Sequence, residues 1–140
     1  MKITLRSSSF ILFLLGTMLL FAGCATKQAY EGSKLPRESV ATIKPTAGII
    51  DAAWILQVDG KERGFFEEIV EVLPGEHTIK IQVTSGFGGI FSPQFVGNKT
   101  LSFRASAGHT YKADGTIKKG DTFAWIVDDT TNEVVAGERP

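Results

Sequence analysis

One cysteine, Cys24, stands in this 140-residue chain, so no disulfide can form within it and a packed core must supply the stability. Two histidines and no cysteine pair make a poor set for holding a metal. Fifteen Lys and Arg balance fifteen Asp and Glu, and without a basic surplus there is nothing to offset a phosphate backbone, which excludes nucleic acid as a partner. The chain lacks a Gly-x-Ser-x-Gly elbow, a Walker loop and a His-Glu-x-x-His helix. "GFGGIF" is rich in glycine but is not followed by the Lys-Ser/Thr of a phosphate loop. The expectation is a protein that is not an enzyme and carries no cofactor.

The longest apolar run, Phe10 to Phe21 ("FILFLLGTMLLF"), is twelve residues. As a helix it would reach about 18 Å, whereas roughly 20 residues are needed to cross a bilayer. Lys2 and Arg6 precede it, and Ala22, Gly23 and Cys24 follow. A basic start, a short apolar stretch and small residues at its end are the parts of a secretory signal peptide. A lone thiol there is open to several readings: a nucleophile, a metal ligand, half of an intermolecular disulfide, an attachment point, or a chance neighbour of an ordinary cleavage site.

The motif "FAGC" resembles the lipobox of bacterial lipoproteins, in which an apolar residue and two small ones precede an obligatory cysteine. That resemblance implies a diacylglyceryl group on Cys24, cleavage just before it and acylation of the new amino group. Two or more chains hold a protein firmly where one does not. Ala25 rather than Asp after the cysteine implies, in a Gram-negative host, the outer membrane, with the domain facing the periplasm. Cleavage removes Lys2 and Arg6 and leaves 117 residues with thirteen basic and fifteen acidic groups, a net charge of about −2. The domain plan is a signal peptide over 1–23, a lipidated cysteine and flexible tether over 24–37, and a single domain over 38–140.

Within that domain turn signals recur every eight to twelve residues, the rhythm of an antiparallel sandwich or barrel. "SVATIK" ends at Pro45. "GIIDAAWILQV" is closed by Asp59-Gly60, a pair suited to a tight hairpin. "FFEEIVEVL" stops at Pro74-Gly75, and part of it could pass for a turn or two of helix. "HTIKIQV" alternates Ile79, Ile81 and Val83 with polar neighbours, the mark of a half-buried strand. "KTLSFRA", "TYKADGTI", "TFAWIVD" and "EVVAG" complete the set. The pattern predicts an all-β antiparallel sandwich of about seven strands, immunoglobulin-like or prealbumin-like, with Trp54 and Trp125 as core anchors.

Several residues invite a site. "PGEHTIKI" and "AGHTYKA" repeat a Gly…His-Thr-apolar-Lys run, which suggests either a His77–His109 metal pair or two turn-to-strand entries built alike, and the second is expected. Glu67, Glu68 and Glu71 could hold a cation or do acid–base work, but alternation assigns them to a solvated face or edge. Asp128-Asp129 falls at a turn, where aspartate bonds to its own backbone. "SGFGGIFSPQFVGN" (85–98) spaces Phe87, Phe91 and Phe95 by four among helix-opposing Gly and Pro. It is expected to be a long connection whose phenylalanines either plug the core or form an apolar contact surface.

"YEGSKLPRESVATI", "VDG", "VLPGEHTIKIQV" and "WIVDDTTNEVVAG" together resemble small bacterial lipoproteins of unknown function. "VDG…VLPGEHTIKI" also resembles PEGA-type and prealbumin-like β modules of the bacterial envelope. The resemblance implies a membrane-anchored envelope lipoprotein, a non-catalytic accessory or protein-interaction module with an envelope protein as partner. The alternative is a carrier of a small apolar ligand or lipid. An apolar internal cavity would favour the carrier, and a filled core with exposed loop aromatics the docking module.

Overall fold

The computed structural model describes residues 26–63, 69–86 and 95–140. They form eleven strands and one short 3₁₀ turn: β1 (Thr26–Gln28), the turn Arg37–Ser39, β2 (Ala41–Lys44), β3 (Thr46–Ala47), β4 (Asp51–Val58), β5 (Lys61–Glu62), β6 (Ile69–Val72), β7 (Gly75–Ser85), β8 (Phe95–Ala105), β9 (Thr110–Lys118), β10 (Asp121–Asp128) and β11 (Glu133–Gly137). One sheet runs in the order β1-β6-β2-β9-β10-β11 and the other β3-β4-β7-β8, with β5 beside β4. The fold is all-β, two sheets laid face to face in the manner of a sandwich.

Eight of the strands match the eight periodic segments of the sequence. The surplus over the expected seven comes mainly from β1, β3 and β5, two or three residues each and too short to show a period. A second difference is the direction of pairing. The five-stranded sheet is antiparallel throughout, but β1 runs parallel to β6 and β2 parallel to β9. The cause lies in connectivity: between β2 and β9 the chain visits the other sheet twice, so no hairpin forces those neighbours to oppose. Part of the stretch 24–37 read as a tether is drawn into the same sheet, since Thr26–Gln28 pairs with Ile69–Glu71 and the Ala29 amide donates to the Glu71 carbonyl at 2.8 Å.

Strand alternation builds the core. Ala41 and Ile43 of β2, Val70 and Val72 of β6, and Ala124 and Ile126 of β10 turn inward from one sheet. Ala53 and Ile55 of β4, Ile79, Ile81 and Val83 of β7, and Phe103 of β8 meet them from the other. Tyr111 of β9 is the bulkiest fully buried side chain. Its ring meets Phe103 edge-on at 4.8 Å and 64°, and its hydroxyl accepts from the Ser106 amide at 2.9 Å. Two hydroxyls also tie the sheets together: Thr46 Oγ1 donates to the Ala113 carbonyl at 2.8 Å, and Thr116 Oγ1 to Asp51 Oδ2 at 2.9 Å.

The hairpin turns follow the sequence signals. Asp59 and Gly60 both take positive φ, 51° and 75°, between Val58 and Lys61, which pair. That is the two-residue turn whose twist suits adjoining strands. Trp125 is buried as expected, 9% exposed, but neither tryptophan belongs to the cluster between the sheets. Trp125 alternates with the inward Ala124 and Ile126, so it lies on the outer face, where the Arg139 guanidinium sits 5.8 Å from its ring. Trp54, between the inward Ala53 and Ile55, is likewise outside the core cluster and half-buried.

At Gly115 of β9 the opposite sheet packs directly against the backbone. A Cβ there would lie 2.5 Å from Val83 Cγ2 and 2.8 Å from the Phe123 carbonyl. Gly115→Ala is therefore expected to destabilise by about 1–3 kcal/mol through overpacking. Chemical denaturation of Gly115→Ala, Val83→Ala and the double variant should show costs that are less than additive, because the methyls lost from Val83 make room for the new Cβ. Equal stability of Gly115→Ala and wild type would contradict this packing.

Candidate functional site

The segment expected to begin a strand at Gly48 begins it at Asp51 instead. The chain turns so tightly there that a Cβ on Gly48 would strike the Asp51 carbonyl, which leaves Ile49 and Ile50 outside the sheet at 79% and 61% exposed. Strand register then sets their neighbours. Asp51 pairs with Ser85, and Ser85 with Phe95, while the Gly86 amide donates to the Ile50 carbonyl at 2.9 Å. Phe95 and Val96 open β8 at 57% and 56% exposed. Four large apolar side chains are thus exposed at one end of the five-stranded sheet.

A polar clamp holds this end in shape. Asp51 accepts from Ser85 Oγ at 2.5 Å through one carboxylate oxygen and from Thr116 Oγ1 at 2.9 Å through the other. It joins β4, β7 and β9 without a covalent link. Of the residues singled out in the sequence for contact, Phe95 is the one the structure places here; Phe87 and Phe91, like the lipidation candidate Cys24, lie outside the described residues. Ile49, Ile50 and Val96 carry no motif, and only the late start of β4 reveals two of them.

The histidine echo resolves into two separate His–Asp pairs, one on each sheet. His77 Nδ1 lies 2.7 Å from Asp59 Oδ2 and its Nε2 lies 2.6 Å from the Leu73 carbonyl. Both partners are acceptors, so the ring bridges the Asp59 carboxylate and the Leu73 carbonyl. Asp59 Oδ1 also accepts from the Thr78 amide at 2.9 Å. His109 Nδ1 lies 2.7 Å from Asp128 Oδ2, and its ring stacks beside Tyr111 at 6.2 Å. The other oxygen of Asp128 accepts from the Thr130 amide at 2.8 Å, the backbone bonding expected of an aspartate at that turn.

Electrostatics follows from this geometry. Burial works against ionisation of Asp59, but the Thr78 amide, His77 and Lys61 outweigh it and hold its carboxyl below the usual range. Asp128 behaves alike: burial opposes the charge, while His109 and the donors of Thr130 pull the carboxyl down. Among the described residues no hydroxyl or thiol is hydrogen-bonded to either imidazole, and no three metal-ligating side chains gather. The pairs fasten the β4–β5 and β10–β11 turns to neighbouring strands.

Glu71 contradicts its assignment to a solvated face or edge. It is 7% exposed and one of its carboxylate oxygens has no hydrogen-bond partner. Glu67 and Glu68 lie outside the described residues. No family model matches this chain, and neither a curated protein nor a solved structure shows significant similarity to it.

Both lowered carboxyls stabilise the fold above the ordinary carboxylate pKa of about 4, and that stability is lost as the pH falls through the depressed folded values. Denaturation midpoints followed from pH 7 down through the acid range should therefore drop. In Asp128→Asn the fold should lose about 1–2 kcal/mol at neutral pH and its acid decline should be shallower. An unchanged acid decline in that variant would show that Asp128 does not carry it.

Proposed function

We propose that this protein is a lipid-anchored component of a bacterial cell envelope that docks a partner protein through the apolar end formed by Ile49, Ile50, Phe95 and Val96. Cys24 carries the acyl chains, and Ala25 directs the protein to the outer membrane with its domain in the periplasm. No bond is made or broken by the protein itself. The observation that carries the docking half is the exposure of four large apolar side chains at the end clamped by Asp51. Soluble domains seldom leave such groups clustered in water without a contact to make.

Two observations favour docking over carriage of an apolar ligand. The side chains of the two inner faces interdigitate in one continuous cluster. The pockets described among the resolved strands open to solvent and include charged and hydroxyl side chains in their walls, which suit polar groups better than a lipid tail. At a finer level we read the sandwich as prealbumin-like or immunoglobulin-like. Its size and two-layer packing support this, while the parallel β2–β9 pair departs from a wholly antiparallel immunoglobulin sheet.

A photo-activated crosslinker at position 95 of the membrane-bound protein, beside one at Ser102 on the same strand, tests the docking surface. The expected result is a protein adduct of one defined mass at 95 and none at 102, lost when Ile49 and Ile50 are changed to serine. Adducts with lipid alone would favour the carrier, and equal yields at both positions would remove the docking surface.

A further inference from the structure

Beyond its anchor and docking end, the molecule holds a second feature, on the outer face of the six-stranded sheet. After β1 the chain crosses that face as a strap. Gln28 Nε2 donates to the Tyr30 and Gly32 carbonyls at 3.2 and 2.9 Å, and the Leu35 amide donates to the Tyr30 hydroxyl at 3.1 Å. The strap closes into the Arg37–Ser39 turn, where the Ser39 amide meets the Pro36 carbonyl at 2.9 Å. Beneath it, Val70 and Val72 point into the core, so Glu71 and Ile69 point outward. Between strap and sheet lies a pocket of about 310 Å³, bordered by Thr26, Lys34, Leu35, Arg37, Thr42 and Glu71, with Ile69 at its side.

Among the described residues, the pocket holds one buried carboxylate oxygen without a donor and one guanidinium without a protein partner. The strap covers Glu71 to 7% exposure, yet its Oε2 has no partner and its Oε1 lies 4.0 Å from Lys34 Nζ, on a side chain 68% exposed. A buried carboxylate without donors is costly unless something supplies them. Arg37 borders the same pocket and makes no ion pair or hydrogen bond through its guanidinium among the described residues. It also borders an adjoining open depression with Glu38, Thr42, Gly108 and Thr110. One pocket therefore offers an acceptor for a cation at its floor and a planar donor for a carboxylate at its rim, where Arg is well suited to bidentate pairing.

We propose that the pocket under the strap binds a small zwitterion of the amino-acid or short-peptide class, its ammonium group on Glu71 and its carboxylate on Arg37. Lys34 adds positive charge at the mouth. Leu35 and Ile69 accommodate a small apolar side chain, and the adjoining depression takes the rest of a peptide. The site stands apart from the apolar end and does not depend on lipidation.

The test is titration of the full chain, solubilised in detergent, with the dipeptide alanyl-alanine, followed by backbone amide shifts of Leu35, Thr42 and Glu71. Its N-acetylated and C-amidated forms serve as controls. The expected result is saturable shifts at these residues with a dissociation constant on the order of 1 mM or tighter, and about tenfold or greater weakening when either end is blocked. Glu71→Gln should weaken the dipeptide and remove its preference over the acetylated form. Should Glu71→Gln fail to fold, Arg37→Ala, at the surface, should weaken the dipeptide and remove its preference over the amidated form. Absence of shifts at the pocket, or equal binding of free and blocked forms, would overturn the proposal.

Discussion

The structure depends most on the inward face of β9. That strand sits in the middle of the six-stranded sheet, parallel to β2 and antiparallel to β10. Its residues Tyr111 and Ala113 belong to the buried cluster formed with β4, β7 and β8, and Gly115 allows Val83 to approach its backbone. With no disulfide possible, this contact is where the two sheets become one body. The outward consequences follow from it: the Thr116–Asp51 bond sets one end of the molecule, and Tyr111, beside His109, lies toward the other.

The two proposed binding features occupy places that the core leaves over. At the Asp51 end, a tight turn keeps Ile49 and Ile50 out of the sheet, and β8 opens with Phe95 and Val96 where no strand of the described chain covers them. On the outer face, the strap from Tyr30 to Ser39 buries Glu71 without supplying it a full set of donors. Apolar groups left in water and a carboxylate left dry are both departures from the pairing that governs the rest of the fold. Such departures are where binding is best sought. The His–Asp pairs are different: each is matched within the protein and holds a turn.

Much of the fold was legible in the chain. Alternation along Thr78–Val83, the Asp59-Gly60 turn and the Pro74-Gly75 break each correspond to a feature observed. What was hidden is long-range. His77 and Asp59 are eighteen residues apart, His109 and Asp128 nineteen, and nothing in local spacing marks them as partners. Parallel pairing of β2 with β9 depends on which sheet the intervening strands join, which periodicity does not encode. Glu71 sits in a charged run that reads as solvated, and its burial comes from a strap whose polar sequence, "ATKQAYEGSKLP", reads as a tether. Glycine and proline around Phe95 argued correctly against a helix, but the long connection expected over 85–98 already becomes strand β8 at Phe95, whose side chain is exposed rather than plugging the core.

The central claim is that this sandwich is held to a membrane by Cys24, and intact mass with membrane fractionation of the native protein beside a Cys24→Ser variant tests it most directly. The account predicts a wild-type chain beginning at Cys24, carrying the mass of its acyl groups and recovered with membranes, and a variant that is either unprocessed or released. A wild-type protein found soluble, unacylated and cut at another position would contradict it.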